Sequence, residues 1–158
     1  MTVANEQALH VTVPGVAIPQ GSMRSFGPGR VTHSNPQVRA WRATVASHVI
    51  AEIVRHERQG QGAWPAVGPC SLTVMFLFPR PKNHYRTGKF AHLLRKVAPT
   101  YMSVGPDLDK LVRAIGDALT DACAIVDDKQ IDVIHAAKGW ASDDNGPRVY
   151  ITLKSERQ

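Results

Sequence analysis

Apolar residues follow two periods along this chain. Between Gln37 and about Arg58, Val38, Trp41, Val45, Val49 and Ile53 recur at intervals of three or four, which puts them on one face of a helix. Asn35 is a suitable cap for its start, Pro36 fits the first turn, and Gly60-Gln61-Gly62 ends it. Leu108, Leu111, Val112, Ile115, Leu119 and Ala122 repeat the pattern and predict a second amphipathic helix, with Asp107 as its natural N-cap. Ser71 to Phe78 is nearly all apolar and β-prone, as a central strand should be, and Pro79 stops it. Leu9–Val16 reads as a first strand, from weak alternation before Pro14-Gly15. Ile131–Trp140 and Arg148–Leu153 read as two closing strands. The turn-rich stretch Ser142 to Pro147 between them, with Asp143 a plain turn residue, suggests an antiparallel hairpin. The order β-α-β-α-β-β predicts a single α/β (α+β) domain: a mixed, largely antiparallel sheet with two helices packed on it.

Two segments fall outside this periodicity. Ile18 to Pro36 is rich in Gly, Pro and Ser, contains Pro19-Gln20-Gly21-Ser22, and carries Arg24 and Arg30. Its glycines would let backbone approach a ligand closely, but these residues suit a plain surface loop as well. Arg80 to Val104 is a long basic excursion. Arg80, Lys82, Arg86, Lys89, Arg95 and Lys96 alternate there with His84, Tyr85, Phe90 and His92. Cations interleaved with aromatics suit phosphate contacts and stacking on exposed bases, the alternative being a solvated loop. A connection of this length in a compact domain is usually functional or disordered.

A length of 158 residues with 43% apolar content fits one domain with one core. No run reaches the ~18 apolar residues of a membrane helix, and Met1 to His10 lacks the features of a signal peptide. Cys70 and Cys123 lie in unrelated apolar contexts and are expected to be buried, reduced thiols, which points to the cytoplasm. No Cys or His pair has zinc-ligand spacing.

Charge adds a further distinction. The formal net charge of +6 divides into +9 over residues 1–106, from 12 Lys/Arg and three acids, and −3 over residues 107–158, from seven Lys/Arg and ten acids. No acid occurs between Glu57 and Asp107. This segregation fits a basic docking surface around an acidic pocket; the plainer account is a basic protein with one exposed acidic helix.

The acids themselves are patterned. Asp107 and Asp109 open the second helix, and Asp127-Asp128 follow its end. Mg²⁺ favours such oxygen ligands, usually one or two carboxylates with water and a substrate phosphate. If the Asp127-Asp128 turn folds back to the helix start, three or four carboxylates converge and a cation relieves their repulsion. The competing account makes Asp107 a cap and Asp109, Arg113 and Asp117, spaced by four, a salt-bridge ladder worth a few tenths of a kcal/mol per pair.

Pro106-Asp107-Leu108-Asp109-x-Leu111, then Asp117-Ala118-Leu119, then Val126-Asp127-Asp128-x-Gln130-Ile131, resembles the RusA family of Holliday junction resolvases. The likeness is good over residues 69–153. The Pro19-Gln20-Gly21 loop and the segment from His84-Tyr85 to Lys89 resemble longer members. The resemblance implies a dimeric, Mg²⁺-dependent endonuclease of the type many phages carry, with Mn²⁺ as a possible substitute and no small-molecule cofactor. Such an enzyme would act on branched DNA, in a bacterial cell or phage-infected host, without a membrane. Asp107, Asp109 and Asp128 would be the metal-binding catalytic carboxylates, with Asp127 beside them to orient or assist. Two positions depart from the pattern. Lys110 stands where the family usually has Asn, and Arg113 stands where it often has a catalytic Lys. Arg keeps the charge and can clamp a phosphate but cannot readily shuttle a proton. Arg113 or Lys110 would then hold the scissile phosphate, while Arg24, Arg30, Lys82, Arg86, Lys89, Arg95 and Lys96 grip the arms. The alternatives are flap or fork cleavage on the same fold, and a DNA-binding module without catalysis.

Overall fold

The computed structural model describes residues 6–21, 23–25, 28, 31–33 and 36–156, and for Met23–Ser25, Val31–His33 and Glu156 the backbone alone. Its elements are β1 (Glu6–Pro14), β2 (Met23–Ser25), β3 (Val31–His33), α1 (Gln37–Arg58), β4 (Cys70–Phe78), α2 (Leu108–Asp121), β5 (Ile131–Trp140) and β6 (Arg148–Glu156). The expected mixed sheet with two helices is present, and the main elements fall close to where the periodicity puts them. The short β2–β3 ladder, pairing Met23 with His33 and Ser25 with Val31, lies inside the stretch read as a loop. Strands of three residues are too short to show a period. Asn35 and Arg30, and the side chain of Arg24, lie outside the described residues; the cap position of α1 falls on Pro36.

Strand order in the four-stranded sheet is β1-β6-β4-β5. β6 runs antiparallel to both β1 and β4, while β5 runs parallel to β4. The expected β5–β6 hairpin is therefore absent, and β4 lies between the two strands. Burial explains the choice. Val149, Ile151 and Leu153 of β6 are 0–1% exposed and need neighbours on both sides, whereas Val133 and Ile134 of β5 are 42% and 51% exposed and suit an edge. A parallel β4–β5 pair requires a crossover, and residues 79–130 supply it with the basic excursion and α2.

Both helices pack on one face of the sheet. The core joins Leu9, Leu72, Phe76 and Ile151 of the strands with Val45 and Val49 of α1 and Leu111, Ile115 and Leu119 of α2. Alternate residues such as Thr12, Thr73, Met75 and Tyr150 point to the opposite face, which carries no helix layer.

Cys70 is buried as expected, and burial pushes its thiol above the usual range. Cys123 is exposed, contrary to expectation. It sits just past α2 at φ +56°, the left-handed position of a helix C-terminus. Cys123 N–H donates to the Thr120 carbonyl at 3.0 Å and Ala124 N–H to the Leu119 carbonyl at 2.9 Å, a Schellman pair. That geometry turns the Cys123 side chain out and buries Ala124.

Candidate active site

Asp107 occupies the cap position of α2 with extended backbone at φ −65° and ψ 131°, yet its side chain makes no capping hydrogen bond. The carboxylate instead meets Lys110 Nζ at 3.0 Å and is 64% exposed. That hydrogen bond, then the Lys110 charge, holds the Asp107 carboxyl below the usual carboxylate range. Asp109, one position into the first turn, is also exposed. The helix thus presents two carboxylates at an end whose dipole favours negative charge.

The backbone beneath them is held from two sides. Gln20 N–H donates to the Lys110 carbonyl at 3.1 Å, bringing the Pro19-Gln20-Gly21 loop onto the first turn of α2. Lys138 Nζ, reaching across from β5, donates to the carbonyls of Val104 at 3.1 Å and Pro106 at 2.9 Å. Sequence reading missed Lys138. Its signal was a lysine on the same strand face as Ala136 and Trp140, where an apolar residue is the norm.

Asp127 and Asp128 begin a short 3₁₀ turn, Asp128–Gln130. Asp127 Oδ1 accepts from Lys129 N–H at 3.0 Å, and its other oxygen meets Lys129 Nζ at 3.2 Å. The backbone hydrogen bond and then the ammonium hold Asp127 below the usual range. Gln130 Oε1 accepts from the N–H groups of Val126 at 2.7 Å and Asp127 at 3.2 Å, while its Nε2 donates to the carbonyls of Ala66 and Gly68, both at 3.0 Å. Asp127 and Gln130 build the turn, and Asp128 is left exposed.

Within one chain the turn does not fold back to Asp107. Asp127 and Asp128 border a cleft with Asp117 and Asp121, at the far end of α2. Asp117 lies eight residues beyond Asp109, about 12 Å along a helix rising ~1.5 Å per residue. Among the described residues no three acidic, His or Cys side chains converge as a metal would need. The donors are right in kind for Mg²⁺, being exposed carboxylates, but one chain offers them as two separate sets.

The salt-bridge ladder is also absent. Arg42 of α1 takes Asp117 at 3.6 Å and Asp121 at 2.7 Å, tying the two helices together. Arg113 is exposed and, among the described residues, makes no ion pair. Its guanidinium is not consumed by the fold.

The excursion is folded. Arg86 N–H donates to the Leu93 carbonyl at 2.8 Å, Arg95 N–H to the His84 carbonyl at 2.9 Å, and Arg95 Nε to the Tyr85 carbonyl at 2.9 Å. Lys82, Arg86, Lys89, Arg95 and Lys96 are all exposed, and among the described residues none is paired with an acid.

The family profile described as endodeoxyribonuclease RusA matches residues 14–154. The chain belongs to the RusA family. No curated protein matches the sequence significantly. As a RusA-family chain it is an endodeoxyribonuclease, and Holliday junction DNA is its partner class. Among the described residues no helix is long and apolar enough to cross a membrane.

Proposed function

We propose that this RusA-family chain resolves four-way DNA junctions as a Mg²⁺-dependent homodimer, placing paired nicks in two opposed strands. The observation that carries the reading is the pair Asp107 and Asp109 at the start of α2, which the fold leaves exposed and does not spend on capping, Asp107 meeting only the neighbouring Lys110. Two nicks need two sites, and a two-fold dimer supplies them with the symmetry of the junction. A dimer also answers the separation within one chain: if α2 of one copy lies against α2 of the other, Asp107 and Asp109 of one face Asp128 of its mate. Mg²⁺ held there would activate water and offset charge on the phosphorane-like transition state. Arg113 holds the scissile phosphate in this reading, with Lys110 keeping Asp107 ionised. Asp127 orients the turn that carries Asp128. The excursion, with Arg24 and Arg30, grips the arms. The products expected are ligatable nicks with 5′-phosphate and 3′-hydroxyl. Mn²⁺ should substitute for Mg²⁺.

A synthetic four-way junction tests this. Wild type should cut it with Mg²⁺ and not with EDTA. Asp109→Asn and Asp128→Asn should each bind the junction without cutting it. Mixing the two inactive variants should restore nicking of one strand, because a heterodimer with shared sites regains one complete set. Mixtures that stay inactive would place each site within one chain. Cleavage of flaps or forks in preference to the four-way junction would favour the alternative substrate.

A further inference from the structure

At the root of the excursion the chain forms a cleft of about 450 Å³ whose walls include Arg80, Tyr85, His92, Trp140, Ser142 and Asp143. That volume is within the range of small-ligand sites. We infer that this cleft receives one unpaired base of the DNA, stacking it among its flat side chains. The inference rests on the DNA reading above and is independent of the aspartates.

The cleft joins elements far apart in sequence. Trp140 ends β5, while Arg80 and Tyr85 belong to the start of the crossover. The Arg80 guanidinium lies 5.4 Å from the Trp140 ring centre, and His84 meets the same ring edge-on at 5.1 Å. Arg80 is fixed there by donating to the Pro99 carbonyl at 2.9 Å. Indole, phenol, imidazole and guanidinium planes are the surfaces on which exposed bases stack, and every base has a face to offer them.

Polar groups for the edge of a base are also present. Tyr85 OH donates to Asp143 Oδ1 at 2.8 Å, which fixes the carboxylate at the rim and leaves its second oxygen able to accept from an exocyclic amine. The surroundings suit DNA more than a neutral aromatic ligand. Lys82, Arg86 and Lys89 stand exposed on the same excursion and, among the described residues, none is paired with an acid, so they can neutralise the phosphates of a strand passing the cleft. A junction or fork is where unpaired bases arise.

Binding of a duplex with one bulged base, compared with the same duplex carrying an abasic residue there, isolates the base while keeping every phosphate. Both are measured in EDTA, so cleavage plays no part. Wild type should favour the bulged base by about tenfold, within the range one stacked base contributes. Trp140→Leu and His92→Ala should reduce that preference at least threefold and leave affinity for perfect duplex unchanged. Because Trp140 packs against the core, the exposed His92 position carries the test if the Trp140 variant fails to fold. Equal wild-type binding of the two bulges would overturn the base pocket while duplex binding left the DNA reading standing. No binding to any DNA would overturn both.

Discussion

Arg113 is the residue at which the two accounts of the acidic helix diverge most. A guanidinium stays protonated at any accessible pH, so it can stabilise charge on a phosphate but cannot act as a general acid. With Asp117 taken by Arg42, the structural role that spacing offered Arg113 has gone. Arg113→Ala should therefore lower the single-turnover cleavage rate by at least ~10²-fold, the scale for one preorganised charge-stabilising group, with the melting temperature near wild type. Arg113→Lys should keep substantial activity. A normal rate in the alanine variant would pass the phosphate contact to Lys110. The spacing of Asp107, Asp109 and Asp128 was legible in the sequence because family motifs record which residues are present. What their neighbours do was not. Arg42 lies 75 positions from Asp117 and Lys138 32 from Pro106, and pairings at that range follow from the packing of elements. Asp143, an ordinary turn residue on paper, accepts from Tyr85 for the same reason, and that acceptance raises the Tyr85 phenol above its usual range.

At the scale of elements, the turn at Asp128–Gln130 shows how a motif divides its labour. Gln130 satisfies two N–H groups and two carbonyls that belong to two different stretches of chain, Val126-Asp127 and the loop from Ala66 to Gly68. Gln130→Ala removes all four bonds and leaves partly buried groups unpaired, at a cost of roughly 1–3 kcal/mol. For a chain of this size that is a fall of about 2–4 °C in melting temperature per kcal/mol. Cleavage should fall further than stability does, because Asp128 loses its fixed position while its own chemistry is intact. Activity that follows the folded fraction alone would reduce Gln130 to a structural role. Periodicity located α1, α2 and β4 within a few residues because each has a sustained apolar face, and β5 from its β-prone run of Ile and Val. It misjudged β6, whose partners are decided by which strands must be buried on both sides, and a hairpin-like turn sequence says nothing of that.

For the whole molecule, the division into a basic half and an acidic half becomes spatial. Lys82, Arg86, Lys89, Arg95 and Lys96 stand exposed on the excursion, while Asp107, Asp109, Asp117, Asp121, Asp127 and Asp128 lie along α2 and the turn after it. Junction affinity should fall steeply with salt as phosphate neutralisation releases counterions. Replacing Lys89, Arg95 and Lys96 by Ala should reduce the log–log salt slope by up to about 0.9 for each phosphate no longer neutralised. An unchanged slope would show that this surface does not touch DNA. Arg95 also bonds the Tyr85 carbonyl through Nε, so a thermal melt of the triple variant is needed to separate weaker phosphate binding from a loosened excursion.

The crossover from β4 to β5 has one more consequence. The stretch proposed to hold DNA and the two aspartates proposed to cut it are successive lengths of one strap, which leaves the sheet at Phe78 and enters α2 after Pro106. Lys138 buckles that strap to the neighbouring strand just before the first aspartate. Lys138→Ala should therefore loosen the approach to Asp107 without removing any proposed DNA or metal contact, lowering the cleavage rate more than junction affinity. The two proposed roles are thus joined through one lysine on the neighbouring strand, which holds the backbone at Val104 and Pro106.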